Sequence, residues 1–289
     1  MEQTKQPEAS QENQLGTAPI GKLLFTLAVP AITAQVVNML YNIVDRIYIG
    51  HIPEIGTAAL TGVGITFPII TLISAFSSLI AMGGAPRASI AMGAHHPERA
   101  EQIMGNCLTA LLGLSVVLTA LFLLFLEPIL WAFGASSNTI GYAMEYMGVY
   151  VWGTVFVQIS LGMNMFITSQ GFAKTSMFTV VIGAALNIAL DPVFIFVFDL
   201  GVRGAAIATV LSQAVSAVWV MLFLTGRRTT LKVRARCMVL RWKVLLPVLA
   251  LGVSPFIMQS TESLLSVVLN TSLLKYGGDV AVGAYTVIA

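Results

Sequence analysis

The sequence predicts an all-α integral membrane protein, and three observations carry that prediction. Apolar residues make up 57% of the 289 and charged ones only 10%, whereas a soluble domain carries about a quarter charged residues. Mean hydropathy is +0.86, more apolar surface than a globular core absorbs. The apolar residues also fall into runs long enough for a helical crossing of a bilayer, which takes about 20 residues.

These runs lie near 23–49, 57–84, 103–126, 139–168, 175–198, 204–225 and 244–274, and an eighth begins around Asp279 and is unfinished at Ala289. Polar stretches separate them: GAHHPERAEQ (93–102), Glu127–Asn138, SQGFAKT (169–175) and DLGVRG (199–204). The longest, GRRTTLKVRARCMVLRWK (226–243), reads as a basic cytoplasmic linker. It divides a six-helix lobe over 20–225 from the start of a second lobe over 244–289. Residues 1–19 are polar and lack the apolar core of a signal peptide, so they read as a disordered cytoplasmic tail.

Basic residues orient the bundle. With the N-terminus inside, the inner segments hold Lys5, Lys22, Arg87, Arg99, Lys174 and the seven basics from Arg227 to Lys243; the outer ones hold only Arg46, Arg203 and Lys275. Twelve against three is a positive-inside pattern, and it predicts a cytoplasmic N-terminus. The pI of about 8.6 comes from these loop basics and implies no nucleic-acid partner. Cys107 lies in an apolar run and Cys237 in the basic linker, so no pairing is expected. His51, His95 and His96 sit in or beside loops without metal-ligand spacing, so neither a metal nor a cofactor is expected.

Polar groups inside the runs stand out, because an unpaired charge in hydrocarbon costs several kcal/mol, about 3 or more at mid-bilayer. Asp191 lies eight residues before Asp199 and so about 12 Å below the outer mouth. Asp45 is near the outer end of the first helix, and Thr209 descends about 9 Å from Arg203. Three helices thus bring polar groups to one depth. Asn187 stacks one turn below Asp191, since i and i+4 share a face.

On the first helix Gln35, Asn38, Asn42 and Asp45 form a stripe that has to line a cavity or meet another helix, with Pro30 before it as a bending point. Asn164 on the fourth crossing lies nearer mid-membrane, and Ser212, Gln213 and Ser216 lie beneath Thr209. In the seventh, Glu262 is an intramembrane acid with Gln259, Ser266 and Asn270 along its face. Simpler roles compete with function: hydrogen bonds between helices for the amides and hydroxyls, an Asp45–Arg46 ion pair, and a capping role for Asp191 before Pro192. A weak internal repeat, offset by 225, sets Pro30 on Pro255 and Asp45 on Asn270, as a parallel two-lobe repeat would.

Together these stretches resemble the multidrug and toxic compound extrusion (MATE) family, in its bacterial MepA-type branch. The resemblance rests on LAVPAITAQVVNMLYNIVDRIYIGH (27–51), FITSQGFAKTSM (166–177), IGAALNIALDPVFIF (182–196), GVRGAAIATVLSQ (201–213) and LLKYGGDVAVGAY (273–285). It implies two six-helix lobes facing each other across a central cavity, and a chain that continues past Ala289. It also implies a transporter, not an enzyme, that expels lipophilic organic cations and amphipathic drugs across the inner membrane in exchange for H⁺ or Na⁺. That protein would be a monomer when complete.

By the same resemblance Asp45, Asn187, Asp191 and Thr209 correspond to the cation-coupling cluster. Gln35, Asn38, Asn42, Asn164 and Glu262 are the expected substrate-cavity residues. The alternative is a lipid-linked oligosaccharide flippase of the same superfamily, which needs cationic residues in its cavity to meet diphosphate; the spans here are nearly free of Lys and Arg. An intramembrane enzyme would need a Ser/His pair or two facing catalytic acids, and no histidine lies in a span.

Overall fold

The computed structural model describes residues 19–288, and its regular structure is helical throughout those residues. The polar tail expected before Pro19 lies outside the described residues. Seven helical segments are long and apolar enough to cross a membrane, in the order that the apolar runs predict, so the chain is a multi-pass membrane protein. In a bilayer each backbone amide has to bond within its own segment, which is why apolar runs of this length become helices.

The helices are α1 (Ile20–Gly50), α2 (Gly56–Gly93), α3 (Pro97–Ala132), α4 (Ile140–Tyr150), α5 (Thr154–Ser169), α6 (Ala173–Pro192), α7 (Gly201–Thr225) and α8 (Trp242–Ile288). A 3₁₀ turn, Val151–Gly153, bends α4 into α5 within a single crossing. Several helices outrun their apolar windows. The expected loop at 93–102 shrinks to the turn around His95, which takes a left-handed φ of 59°, and Pro97 opens α3. Likewise α3 continues to Ala132 through a bend at Phe125, three residues before Pro128, whose ring denies the helix one amide. Hydropathy marks where a helix meets lipid; its hydrogen bonding extends into polar flanks.

The middle of the bundle is α2, rich in small residues and buried along much of its length. Its main neighbour is α8, and it also packs on α3 and α5. Close approach is built in: a Cβ on Gly83 would run into the Val248 carbonyl, and one on Gly252 into the Leu79 carbonyl. Small residues let membrane helices come near enough for dispersion to hold them, since lipid tails provide no hydrophobic drive. Two hydrogen bonds pin the pair, Gln259 Nε2 to Ser78 Oγ and Ser263 Oγ to the Pro68 carbonyl, both 2.7 Å.

The helix α8 is broken at Gly278 (φ 67°, ψ −169°). Before the break its contacts run antiparallel to α2, Leu79 meeting Gly252 and Pro68 meeting Ser263. After it Gly283 lies on Thr61 and Thr286 on Gly64, in parallel order. The chain therefore reverses at Gly278, where only glycine takes that backbone conformation cheaply. The eighth apolar run expected near Asp279 begins at this reversal.

The basic segment 226–243 is docked on the bundle. Gln170, in the turn after α5, accepts with Oε1 from Thr229 Oγ1 and the Leu231 amide, both at 2.8 Å. On α3, Asn106 accepts from the Arg241 amide at 2.6 Å and donates to the Cys237 carbonyl at 3.3 Å. Arg234 pairs with Glu101 at 3.0 Å. Cys237 is therefore buried against Gly105, close in sequence to Cys107, although both thiols are free and Cys107 faces Gly84 on the other side of α3.

Candidate functional site

Three helices deliver the cluster. α1 packs chiefly along α6, and α6 along α7, so a side chain on the inner face of each meets the other two. Asp45 comes from α1, Asn187 and Asp191 from successive turns of α6, and Thr209 from α7. Asp191 is fully buried, Asn187 is 2% exposed and Asp45 9%.

Asn187 is the hub. Its amide nitrogen donates to Asp191 Oδ1 at 3.0 Å and to Thr209 Oγ1 at 3.3 Å. The Asp45 carboxyl lies within hydrogen-bonding reach of the Asp191 carboxyl. Two ionised carboxylates only accept, so this contact calls for a proton or a cation between them. Asp45 Oδ1, Asp191 Oδ2 and Asn187 Oδ1 are all buried without a hydrogen-bond partner among the described residues. Buried oxygens are seldom left so. With Thr209 Oγ1 they form a set of hard oxygen donors of the kind that holds a proton or an alkali cation.

Asp191 also ends the regular part of α6. Pro192 follows it, and the backbone widens into a π-helical turn over Val193–Val197, a local device common at functional sites. The helix changes pitch there without stopping, and the Asp191 side chain binds Asn187 rather than capping a terminus. Arg46 does not form the ion pair weighed for it with Asp45. Its guanidinium stacks 4.5 Å from the centroid of the Phe67 ring, where its charge still acts on Asp45.

Beside the cluster, between α1, α5, α6 and α7, is a polar cavity of about 60 Å³ lined by Asn38, Tyr41, Asn164, Asn187, Thr209 and Gln213 among others. That is room for one or two water-sized species, each taking about 30 Å³. The structure thus brings Asn38 and Asn164 to the same cavity as Asn187 and Thr209. Asn164 additionally ties α5 to α6 by donating to the Ser176 carbonyl at 3.3 Å.

The rest of the expected cavity set lies outside this small hollow. Asn42 turns its amide back onto the Asn38 carbonyl at 2.7 Å, Gln35 is exposed on α1, and Glu262 is exposed on α8, whose neighbour Ser263 faces α2. Ser160 and Gln213 join at 2.6 Å, and Ser216 binds the Thr179 carbonyl at 3.2 Å. Those three residues also line the cavity, where they bond its helices together.

Three tyrosines belong to the site and were not read from the sequence. Tyr41 lies near enough to Asp45 and Asp191 for their charges to act on it, and Tyr146 reaches Thr209 within the field of Asp45. Tyr150 stacks on Tyr146 with ring centroids 5.9 Å apart. The i and i+4 spacing of Tyr146 and Tyr150 was visible, but an aromatic pair in an apolar run looks like packing until its neighbours are known.

The family model described as MatE matches residues 30–193. The multidrug export protein MepA of Staphylococcus haemolyticus is 23% identical over 92% of this chain, and that of Staphylococcus aureus 22% over 93%. Among solved structures, the MATE multidrug transporter DinF-BH superposes with a TM-score of 0.91 at 36% identity over 98% of the chain. The inward-facing conformation of a multidrug resistance MATE family transporter of the MOP superfamily gives 0.81 at 27% identity over 89%. The chain spans 58% of the length of the first of these relatives and 62% of DinF-BH.

Proposed function

The chain belongs to the MATE family, and from that membership we propose that the whole protein is a cation-coupled antiporter exporting lipophilic organic cations and other amphipathic drugs. It works as a monomer in the cytoplasmic membrane of a bacterium with its N-terminus inside, the orientation that the twelve-to-three distribution of basic residues supports. The observation that carries the reading is the contact of two buried carboxyls, Asp45 on α1 and Asp191 on α6.

Those carboxyls, with Asn187 and Thr209, are the residues that would hold the coupling ion, H⁺ or Na⁺. A bound cation supplies the charge that lets both acids remain close. Without it their repulsion separates α1 from α6, and Pro30 inside α1 is the bending point. Filling the cluster therefore draws α1 onto α6, and emptying it releases α1. Drug and ion compete through this helix, because Asn38 and Tyr41 on α1 line the cavity beside the cluster. The flippase alternative is disfavoured, since among the described residues no Lys or Arg lines that cavity.

The test is uptake of a fluorescent organic cation into everted vesicles carrying the complete reading frame, as wild type and Asp191→Asn. Each is driven in turn by a pH gradient and by a sodium gradient. Uptake abolished in the variant, with wild type responding to one gradient only, supports the antiport and names its ion. Equal uptake by both proteins under either gradient would overturn it.

A further inference from the structure

At the end of the bundle away from the acidic cluster, the last turns of α2, the first of α3 and the first of α8 enclose a hollow of about 590 Å³. Arg87, Arg99 and Lys243 line it with His95 and His96, against a single acid, Glu98. Among the described residues none of the three permanent cations has a carboxylate within 4.0 Å; the ion pair formed there joins Arg234 to Glu101. Arg87 Nε is buried without a hydrogen-bond partner among the described residues. Leaving a guanidinium N–H so is costly unless an acceptor arrives, by about 1–3 kcal/mol for an ordinary buried donor. Moreover α3 begins at Pro97 and α8 at Trp242, so two helix N-termini, each favouring an anion, open beside the cations.

We propose that this hollow is a binding site for a phosphate group, that of an anionic phospholipid or of a free phosphate compound. Arginine and lysine around a concave wall are the chemistry that recognises phosphate, the guanidinium by paired hydrogen bonds and the ammonium as a point charge. The surroundings favour the lipid source. Trp242, next to Lys243, is 63% exposed, and Leu246, one turn further into the membrane on α8, is 59% exposed. An exposed tryptophan beside basic groups belongs at headgroup level, with apolar neighbours toward the acyl chains. Occupancy would bridge α2 and α3 to α8, and hence the first lobe to the second. The site is separate from the transport reading and does not depend on it.

The experiment uses the purified full-length protein in mixed micelles, with lipid binding followed by native mass spectrometry and by thermal unfolding. Dioleoylphosphatidylglycerol is compared with dioleoylphosphatidylcholine, and both with inorganic phosphate and pyrophosphate added without lipid. Arg99→Gln and Lys243→Gln, at exposed positions that tolerate change, should each weaken phosphatidylglycerol binding about fivefold. Lys243→Arg should retain binding, and Arg228→Gln, an exposed linker cation outside the hollow, should leave it unchanged. Phosphatidylglycerol bound in preference to the other three probes establishes the lipid source. Inorganic phosphate or pyrophosphate bound as well, and lost in the same variants, establishes the free one. Binding of every probe unaltered in Arg99→Gln and Lys243→Gln overturns the site.

Discussion

Asn187 lies one helical turn before Asp191 and donates to its Oδ1 at 3.0 Å, while the same amide nitrogen reaches Thr209 on α7 at 3.3 Å. One side chain therefore orients a carboxylate on its own helix and fastens the neighbouring one. Removing it leaves Asp191 free to rotate and the α6–α7 contact weaker. In Asn187→Ala, driven dye uptake is expected to fall about tenfold, since a buried hydrogen bond to a charged group contributes about 1.5–3 kcal/mol. Uptake within twofold of wild type, at equal expression, would show that Asn187 is packing alone.

If Asp45 and Asp191 share one ion, they act as a unit. Asp45→Asn and Asp191→Asn should each lower uptake strongly, and the double variant should be no worse than the poorer single one, as with other residues that act jointly. Losses that multiply would assign the two acids to separate steps. The measurement is initial rate of uptake in vesicles for the four members of the cycle.

Packing of α2 on α8 depends on Gly83 and Gly252 having no side chain. Gly252→Val should push the helices apart and cost about 1–3 kcal/mol or more, the usual penalty of overpacking. The readout is the apparent Tm in detergent with the yield of monodisperse protein; both should drop, whereas Gly113→Ala, at a position with open space around its Cα, should change neither. An unchanged Tm for Gly252→Val would mean that the two helices are free to separate.

Gln170 accepts from Thr229 and Leu231 and donates to the Phe166 carbonyl at 2.9 Å. Gln170→Ala leaves the Leu231 amide unpaired and Thr229 with only the Leu231 carbonyl as acceptor, and should loosen the segment 226–243. Limited trypsin digestion should then cut after Arg227, Arg228 or Lys232 about tenfold faster, for a loss of about 1–3 kcal/mol in local stability. A digestion rate equal to wild type would place the anchor of the linker elsewhere, at Asn106 or Glu101.

Much of this molecule follows from its sequence by itself. Bilayer thickness and the need to bond every amide internally turn apolar runs into crossing helices, so their order and approximate positions are one-dimensional information. The i and i+4 relation likewise sets Asn187 beneath Asp191 without any knowledge of the fold, and equal depths of Asp45, Asp191 and Thr209 follow from counting along each helix.

What counting along a helix leaves open is rotation about its axis and choice of neighbour, and the tertiary structure decided both. It turned Asp45 toward Asp191 and Arg46 onto Phe67, although the two residues are adjacent. It divided the polar stripe of α1, bringing Asn38 to the cavity while Asn42 bonds to its own helix and Gln35 stays exposed. It brought Tyr41 and Tyr146 near the acids, stacked Tyr150 on Tyr146, and left Glu262 exposed on α8. It also folded a basic segment that reads as a plain linker onto the bundle, through a buried glutamine after α5 and an asparagine on α3. Side-chain partners across helices depend on how small residues let the helices approach, and that is a property of pairs of surfaces, which one strand of sequence does not state.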